Sequence, residues 1–442
     1  MAKVLHTSDW HIDRFTGRAS RAADHEAVLA EICAITKAEQ PDLVVNSGDL
    51  FQGVRPSTEG MRLAFDVLQE MATVCPVVVV CGNHDSAALF ELFAQICDVS
   101  SRITFVARVR LPSEGGILDF SARGGKERIR VAPLPFIHAN RVVGERAFGQ
   151  STDWTTAYAA YVSKLERLLG AGLQAGGDAK RDVPLFAAHL HVAGAQWSGS
   201  ERPVHISEAY GLEPETVPKV AYAAFGHLHK PQALPGGVVG RFCGSPLQMD
   251  FGELGEEKGV VMIEAHPGQA AEVRIVPLMH GRRLRRLSGD LESVRQQATT
   301  VQDEIVRVVV QTETHTPQLS EMVAAMMPRA TIMEVVEESA DRRLAILDDT
   351  GPAASGDEPH FSELFAEFLR EEGTRGAKAD LVLHTFHELI AGVEEETRVE
   401  FPEEAALGDC CALADGQAHQ HVREKQSSAD PATDRPATEA VA

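Results

Sequence analysis

The sequence predicts a layered α/β fold, and three observations lead to this prediction. Over residues 1–280, short apolar runs alternate with stretches whose apolar residues recur at helical spacing. The runs at 43–46 and 77–80 are continuously rich in Val and Leu, as in strands that are buried on both faces. Several runs end directly in Asp, Asn or His, and layered α/β folds place polar sites at the carboxyl ends of their strands.

Taken in order, the first region reads as strands separated by helices. The predicted strands are 4–7, 43–46, 77–80, 185–188 and 220–225. A helix is predicted over 22–38, because its apolar residues fall three and four apart. A second helix is predicted to begin after Pro56-Ser57, since the Ser57 hydroxyl can cap its first turn. We assign residues 1–280 to one domain.

The character of the chain changes after residue 280. Helices and strands are predicted at 290–300 (helix), 304–310 (strand), 320–327 (helix) and 330–336 (strand). This order predicts a small α/β cap domain over 281–350. A Gly- and Pro-containing linker follows at 351–356.

The C-terminal part is predicted to hold helices without a core of their own. Residues 357–400 contain two helical stretches with strong apolar faces, and such faces need a partner to cover them. We therefore expect this helical tail to dock on another protein. Residues 401–442 are rich in Ala, Asp, Glu, Ser and Pro, which predicts disorder.

Composition narrows the class of protein. Apolar residues make up 44% and charged residues 24% of the 442 residues, as in ordinary globular proteins. No apolar run approaches the ~20 residues that cross a bilayer, and the N-terminus lacks the pattern of a signal peptide. We therefore expect a cytoplasmic protein without membrane contact. The seven cysteines form no C-x-x-C pair, which argues against a zinc ribbon or a redox motif.

The net charge of −22 argues at first against a nucleic-acid partner. Residues 357–442, however, hold 20 acidic and 7 basic side chains, which leaves a net charge of −9 for residues 1–356. The one dense basic cluster is Arg282-Arg283-Leu284-Arg285-Arg286. It fits a solvated strand edge as well as it fits a phosphate contact.

The candidate site consists of oxygen and nitrogen donors that follow predicted strands. They are Asp9, His11, Asp49, Asn83, His189, His227 and His229. Such donors without a thiolate suit manganese, iron or zinc. A single D-x-H or H-x-H also occurs by chance, whereas Gly82-Asn83-His84-Asp85 directly after four valines is more specific. Their combination, each after a strand, predicts a metal centre.

These motifs resemble those of the calcineurin-like metallophosphoesterases. The matching stretches are Thr7-Ser8-Asp9-Trp10-His11, Ser47-Gly48-Asp49-Leu50-Phe51, Gly82-Asn83-His84-Asp85, Ala188-His189 and Gly226-His227-Leu228-His229. The resemblance is strongest to DNA nucleases of this superfamily that act with a coiled-coil ATPase, and it extends over residues 3–345. It implies an α-β-β-α metallophosphoesterase core with a helical tail and an α/β cap, residues 281–350, that contacts DNA.

The resemblance also implies a role for each residue of the site. One divalent ion, most commonly Mn²⁺, would be held by Asp9, His11, Asp49 and His229. A second would be held by Asn83, His189, His227 and the bridging Asp49. Two such ions ~3.5–4 Å apart activate a water and clamp the phosphate.

Two further catalytic residues follow from the same resemblance. His84 would bind no metal and would stabilise the transition state or protonate the leaving oxygen. Asp85 would orient His84 through a hydrogen bond. His191 is interpreted as a supporting residue, because the resemblance places the ligand at position 189.

The implied function is a metal-dependent DNA nuclease, a double-strand exonuclease and single-strand or hairpin endonuclease that acts with a coiled-coil ATPase in repair and recombination. A homodimer within that complex is implied as well. Two alternatives stay open: a stand-alone metallophosphatase or cyclic-nucleotide phosphodiesterase, and a non-catalytic binding subunit. The acidity of the chain favours the phosphatase or phosphodiesterase, and the intact ligand set disfavours the non-catalytic subunit. Asp13, Arg14 and Gln52 depart from the usual residues of these nucleases, which weakens any expectation of DNA contacts in those loops.

Overall fold

We describe the fold from a computed structural model of the chain. The structure describes residues 1–97, 102–138, 154–198 and 211–339, together with Leu369, Val382 and Leu383. The predicted helices and tail between 357 and 442 therefore lie almost wholly outside the described residues. Among those that are described, no helix has both the length and the apolar character needed to cross a membrane.

The first sheet is built around a buried strand near the N-terminus. Its strands are β1 (Ala2–Thr7), β4 (Leu43–Asn46), β5 (Val77–Val80), β6 (Ile103–Val106), β13 (Gly259–Ala265) and β14 (Glu272–Pro277), in the order β14-β13-β1-β4-β5-β6. Strands β1, β4, β5 and β6 run parallel, so their carboxyl ends lie at one edge of the sheet. Every residue of β4 and β5 is buried, as their uninterrupted apolar sequences predict.

The second sheet also has six strands and a parallel centre. It contains β7 (Leu118–Ser121), β8 (Arg128–Leu134), β9 (Asp182–His189), β10 (Tyr222–Gly226), β11 (Gln232–Ala233) and β12 (Gly240–Phe242), in the order β11-β12-β10-β9-β8-β7. The short strands β2 (Phe15–Thr16) and β3 (Ala19–Ser20) form a separate hairpin.

The two sheets pack face to face between layers of helices. Apolar residues of both sheets, such as Val45, Val78, Val131 and Leu185, share one buried cluster. The outer face of the first sheet packs on α1 (Ala22–Glu39), α2 (Thr58–Val74) and α3 (Ala87–Ile96), and the outer face of the second on α4 (Trp154–Gln174). The predicted α-β-β-α layering is confirmed.

Helix α2 begins where its sequence predicts. The Ser57 hydroxyl accepts a hydrogen bond from the Gly60 N–H at 2.9 Å, which satisfies one of the free donors of the first turn. Asp13 in turn accepts hydrogen bonds from the Ser57 N–H and hydroxyl, both at 2.7 Å. Asp13 therefore fastens the loop after the first metal motif to the start of α2.

The α/β unit after residue 280 contains one strand more than the sequence analysis recognised. Its elements are β15 (Leu284–Asp290), α5 (Leu291–Ala298), β16 (Ile305–Thr312), α6 (Leu319–Met326) and β17 (Thr331–Ser339). The three strands are parallel in the order β15-β16-β17. Strand β15 was missed because its apolar residues, Leu284 and Leu287, are separated by arginines.

The basic cluster around β15 lies on an edge strand of this sheet. Arg282, directly before the strand, forms an ion pair with Asp24 of α1 at 2.9 Å and donates to the Thr331 hydroxyl at 3.1 Å. This arginine therefore links the core to β17, whereas Arg286 is exposed. The limits of the predicted domains, 1–280 and 281–350, stay predictions.

Candidate metal centre

The seven predicted ligands converge at the carboxyl ends of five strands from both sheets. Strands β1, β4 and β5 of the first sheet lead to Asp9, His11, Asp49 and Asn83, and strands β9 and β10 of the second lead to His189, His227 and His229. None of these seven residues is more than 2% exposed. Burying so many polar groups is costly unless they have partners, so their convergence needs a chemical reason.

One group of donors contains Asp9, His11 and His229, whose ligand atoms lie within 4.8 Å of one another. The Nε2 atoms of His11 and His229 face each other at 2.9 Å. Two imidazoles in this arrangement direct their ring nitrogens to a common point. Asp9 is fixed by the backbone N–H of His227, which donates to its carboxylate at 3.0 Å.

The second group is organised around Asn83. Its side-chain oxygen lies 2.8 Å from the Nε2 of His189 and 2.8 Å from the Nδ1 of His227. An amide oxygen and two imidazole nitrogens thus meet at a second point.

Asp49 lies between the two groups. Its Oδ2 is 3.6 Å from the Nε2 of His11 and 3.3 Å from the Nε2 of His189, so one atom contacts a member of each group. Its Oδ1 accepts a hydrogen bond from the backbone N–H of His84 at 2.8 Å, which fixes the carboxylate plane. The structure therefore places Asp49 where a bridging ligand would lie.

The chemistry of these donors fits divalent metal ions. The set combines carboxylate and amide oxygens with imidazole nitrogens, which suits manganese, iron or zinc. These side chains are thus suited to hold a divalent metal ion.

The backbone at the site is held in an uncommon conformation. Asp9, His11, Asp49 and His227 have positive φ angles of 51°, 48°, 52° and 99°. Such conformations cost about 1–3 kcal/mol each for non-glycine residues and concentrate at functional sites. The surrounding sheets must therefore supply the free energy that keeps these loops in place.

Glycine next to the ligands allows the two sheets to approach closely. A Cβ atom at Gly226 would lie 2.2 Å from the Ser8 hydroxyl and 2.4 Å from the Ser47 carbonyl oxygen. Gly48, with φ of 114°, would place a Cβ 2.1 Å from the Nδ1 of His189. Glycine at these two positions thus permits a close approach of backbone and side chains from the two sheets.

The charges of the site are strongly coupled. Burial works to raise the pKa of Asp49, but the neighbouring His189 and His84 hold this pKa well below its usual value. Burial raises the pKa of Asp9 to about 6. Burial lowers the pKa of His189, yet Asp49 outweighs this effect and the pKa rises to about 9. In the absence of metal ions, the raised pKa of His189 thus favours a protonated imidazole next to Asp49.

His84 lies beside the cluster but is held differently from what was predicted. Its Nδ1 lies 2.7 Å from the backbone oxygen of Gln52, and because a carbonyl can only accept, this nitrogen carries the proton. The carboxylate of Asp85 instead accepts backbone N–H groups of Leu50, Phe51 and Gly82 at 2.9–3.2 Å. The expected direct bond from Asp85 to His84 is thus replaced by an indirect one, through the loop that ends in Gln52.

Sequence reasoning missed the groups that hold the imidazole ligands. The Nδ1 of His189 donates to the backbone oxygen of Ser47 at 2.9 Å. The Nδ1 of His229 lies 3.3 Å from the carboxylate of Glu253. A backbone carbonyl has no signature in the sequence. Glu253 is one of five charged residues between Asp250 and Lys258, so nothing in the sequence singles it out either.

Two further residues near the predicted ligands, His191 and Trp10, contact neighbouring side chains. The His191 ring stacks near Trp197, with ring centroids 6.2 Å apart. This contact does not test the supporting role of His191, which stays a prediction. The indole N–H of Trp10 donates to the Thr7 hydroxyl at 2.8 Å, and the side chain is fully buried. Trp10 therefore supports the loop of Asp9 and His11 from within the core.

A two-sheet α-β-β-α sandwich with oxygen and imidazole donors at its strand ends is the arrangement on which the family comparison can be judged. The family model of calcineurin-like phosphoesterases matches residues 2–231, and the chain belongs to this family. It is therefore a phosphoesterase by class.

Comparison with known proteins identifies the family within the phosphoesterases to which the chain belongs. The SbcD component of nuclease SbcCD from Rhodobacter capsulatus is 32% identical over 290 residues, which cover 62% of this chain and 69% of that protein. The Bacillus subtilis protein of the same name is 29% identical over 294 residues, covering 64% and 71%. Within the phosphoesterases, the chain belongs to the SbcD family of nucleases.

A solved structure of a dimetal phosphatase from Danio rerio is also similar. It aligns with 63% of this chain and 99% of its own, at a TM-score of 0.38 and 12% identity. A score this low adds nothing to the assignment.

Proposed function

We propose that this protein is a metal-dependent DNA nuclease that hydrolyses phosphodiester bonds with two divalent ions, and that it acts with an SbcC-type ATPase. The observation that carries the two-metal part is the position of Asp49. One of its oxygens contacts a ligand from each donor group, at 3.6 and 3.3 Å. A single-metal site would not need a carboxylate between two separate sets of donors.

In this proposal the two donor groups hold one ion each. Asp9, His11 and His229 would hold the first, Asn83, His189 and His227 would hold the second, and Asp49 would serve both. When bound, two divalent ions, most commonly Mn²⁺, activate the attacking water and polarise the phosphate.

His84 supplies the remaining proton chemistry. Its Nδ1–H is committed to the Gln52 carbonyl, so Nε2 is the atom that can exchange a proton at the site. In its protonated form, Nε2–H donates to the developing charge or to the leaving sugar oxygen. Asp85 contributes by holding the backbone of residues 50 and 51, and thereby the carbonyl that orients His84.

DNA as substrate is supported by the relatives named as nucleases and by the α/β unit after residue 280. We propose both double-strand exonuclease and single-strand or hairpin endonuclease activity, in the cytoplasm. The net charge of −22 supports the competing candidate, a phosphatase or phosphodiesterase for small substrates. It also predicts that the isolated chain binds DNA weakly and with steep salt dependence.

A cleavage assay separates these candidates. Linear duplex and hairpin DNA are incubated with the chain and Mn²⁺, with and without an SbcC-type ATPase and ATP, beside a small chromogenic phosphodiester. DNA cleavage that needs Mn²⁺ supports the nuclease. Turnover of the small ester, with DNA left intact even when the ATPase is present, would assign the chain to small substrates.

The partner is proposed from the apolar helical stretches within 357–400, which lie almost wholly outside the described residues. We propose that they dock on the coiled-coil base of the ATPase, in a complex that contains two copies of this chain. Deleting residues 357–442 should abolish co-purification with the ATPase while Mn²⁺-dependent turnover of the small ester persists. Unchanged co-purification would refute the docking role.

A further inference from the structure

The carboxylate of Glu253 is fully buried next to a proposed metal ligand. Its Oε1 lies 3.3 Å from the Nδ1 of His229, and its Oε2 lies 2.7 Å from the Nζ of Lys258. The backbone N–H of Met249 donates to the same Oε2 at 3.1 Å. Glu253 and Lys258 are 0% and 7% exposed, so this group of charges is shielded from water.

The charge of Glu253 is fixed by its surroundings. Its Oε2 accepts from two donors, the Lys258 ammonium at 2.7 Å and the backbone N–H of Met249 at 3.1 Å. The residue is thus a carboxylate and can only accept hydrogen bonds. The proton between Glu253 and His229 therefore belongs to the Nδ1 of His229, which leaves the Nε2 lone pair directed at the His11 side of the cluster.

We infer that Glu253 is a positioning residue for the first metal ion. It fixes the tautomer and ring orientation of His229 and makes the imidazole a stronger donor. The second group has an equivalent device, since the Ser47 carbonyl holds the Nδ1 of His189. The device for His229 differs in being a charged carboxylate. This inference depends on the two-metal site proposed above.

Stability alone gives a weaker explanation for Glu253. A buried ion pair often contributes little net stability, because the loss of hydration offsets the attraction between the charges. Lys258 also has a second carboxylate partner, Glu256, at 2.8 Å. A variant at Glu256 therefore removes one carboxylate from Lys258 and leaves the contact between Glu253 and His229 in place, which separates the two roles.

The test uses the full chain, three variants and a readout that does not depend on catalysis. Mn²⁺ is titrated calorimetrically into Glu253→Gln, into Glu256→Gln and into the double variant Glu253→Gln with Lys258→Met. The melting temperature of each is measured in EDTA. We expect Glu253→Gln to weaken one of two Mn²⁺ affinities about 10–100-fold and to leave the other within about twofold. Glu256→Gln should bind both ions like the wild type.

The double variant distinguishes positioning from folding. Removing both charges should restore the metal-free melting temperature towards that of the wild type, while the weakened Mn²⁺ affinity persists. Wild-type affinity in Glu253→Gln, or its recovery in the double variant, would overturn the inference. Failure of the wild type itself to bind two ions would instead refute the two-metal proposal, so the two failures are distinguishable.

Discussion

The two halves of the metal centre differ in chemistry and in how they are held. The first sheet contributes both carboxylates and the amide, from Asp9, Asp49 and Asn83, together with one imidazole. The second sheet contributes three imidazoles and no carboxylate. The acidic half is held by donors, such as the backbone N–H of His84, and the imidazole half by acceptors.

Each half is also fixed by a backbone hydrogen-bonding group that follows a strand of the opposite sheet. The N–H of His227, after the second sheet, fixes Asp9 of the first. The Ser47 carbonyl, after the first sheet, fixes His189 of the second. Neither half is complete without the other, so the sandwich itself is a condition for metal binding.

The largest effect is expected at Asp49, the residue that contacts both donor groups. Asp49→Ala should abolish binding of the second ion, weaken the first and lower phosphodiester cleavage by at least ~10³-fold, because each ion contributes several kcal/mol to the transition state. Mn²⁺ stoichiometry and cleavage are measured beside Asp303→Ala, which removes an exposed carboxylate. Two bound ions in Asp49→Ala would show that the two donor groups bind metal independently of this carboxylate.

His84 is expected to separate chemistry from metal binding. His84→Ala should retain both ions and lose ~10²–10⁴ in rate, because it removes a proton donor from the reaction. His280→Ala, which removes an exposed imidazole, is the control and should cleave normally. If His84→Ala cleaves at a near-normal rate, this side chain has no part in the mechanism.

Close contact between the two sheets can be tested by adding one methyl group at Gly226. Gly226→Ala should destabilise the fold by about 1–3 kcal/mol, because its Cβ would overlap the Ser8 hydroxyl and the Ser47 carbonyl. Urea unfolding in EDTA measures the free energy, with Gly124→Ala as control because a Cβ there meets no atom within 4 Å. Equal stability of the two variants would contradict the tight packing.

Helix α4, which covers the second sheet, contains a pH-sensitive carboxyl group that lies away from the metal centre. Burial raises the pKa of Glu166 in α4 from 4.5 to about 7. The folded state therefore binds more protons than the unfolded state between these values, so stability should fall as pH rises from 4.5 to 7, by at most about 1.4 kcal/mol per pH unit. Denaturant unfolding of Glu166→Met should lack this part of the slope. An identical pH profile would exclude Glu166 as its cause.

Much of the core could be predicted from the sequence because its strands are short, apolar and clearly bounded. Strands 43–46 and 77–80 were located to the residue, and helix 22–38 within one residue. Strand β15 was missed because its arginines obscure the apolar pattern of an edge strand, which has solvent on one side. The roles assigned to the individual ligands remain proposals.

The sequence by itself determined which side chains are available and which strand each one follows, since both depend on local pattern. Only the tertiary structure decided that these strands belong to two facing sheets, and that Asp49 contacts both donor groups. It also decided what holds the site: the Ser47 and Gln52 carbonyls and Glu253, which lies 24 residues from His229. Such contacts depend on the packing of distant segments, and a backbone carbonyl is the same in every residue.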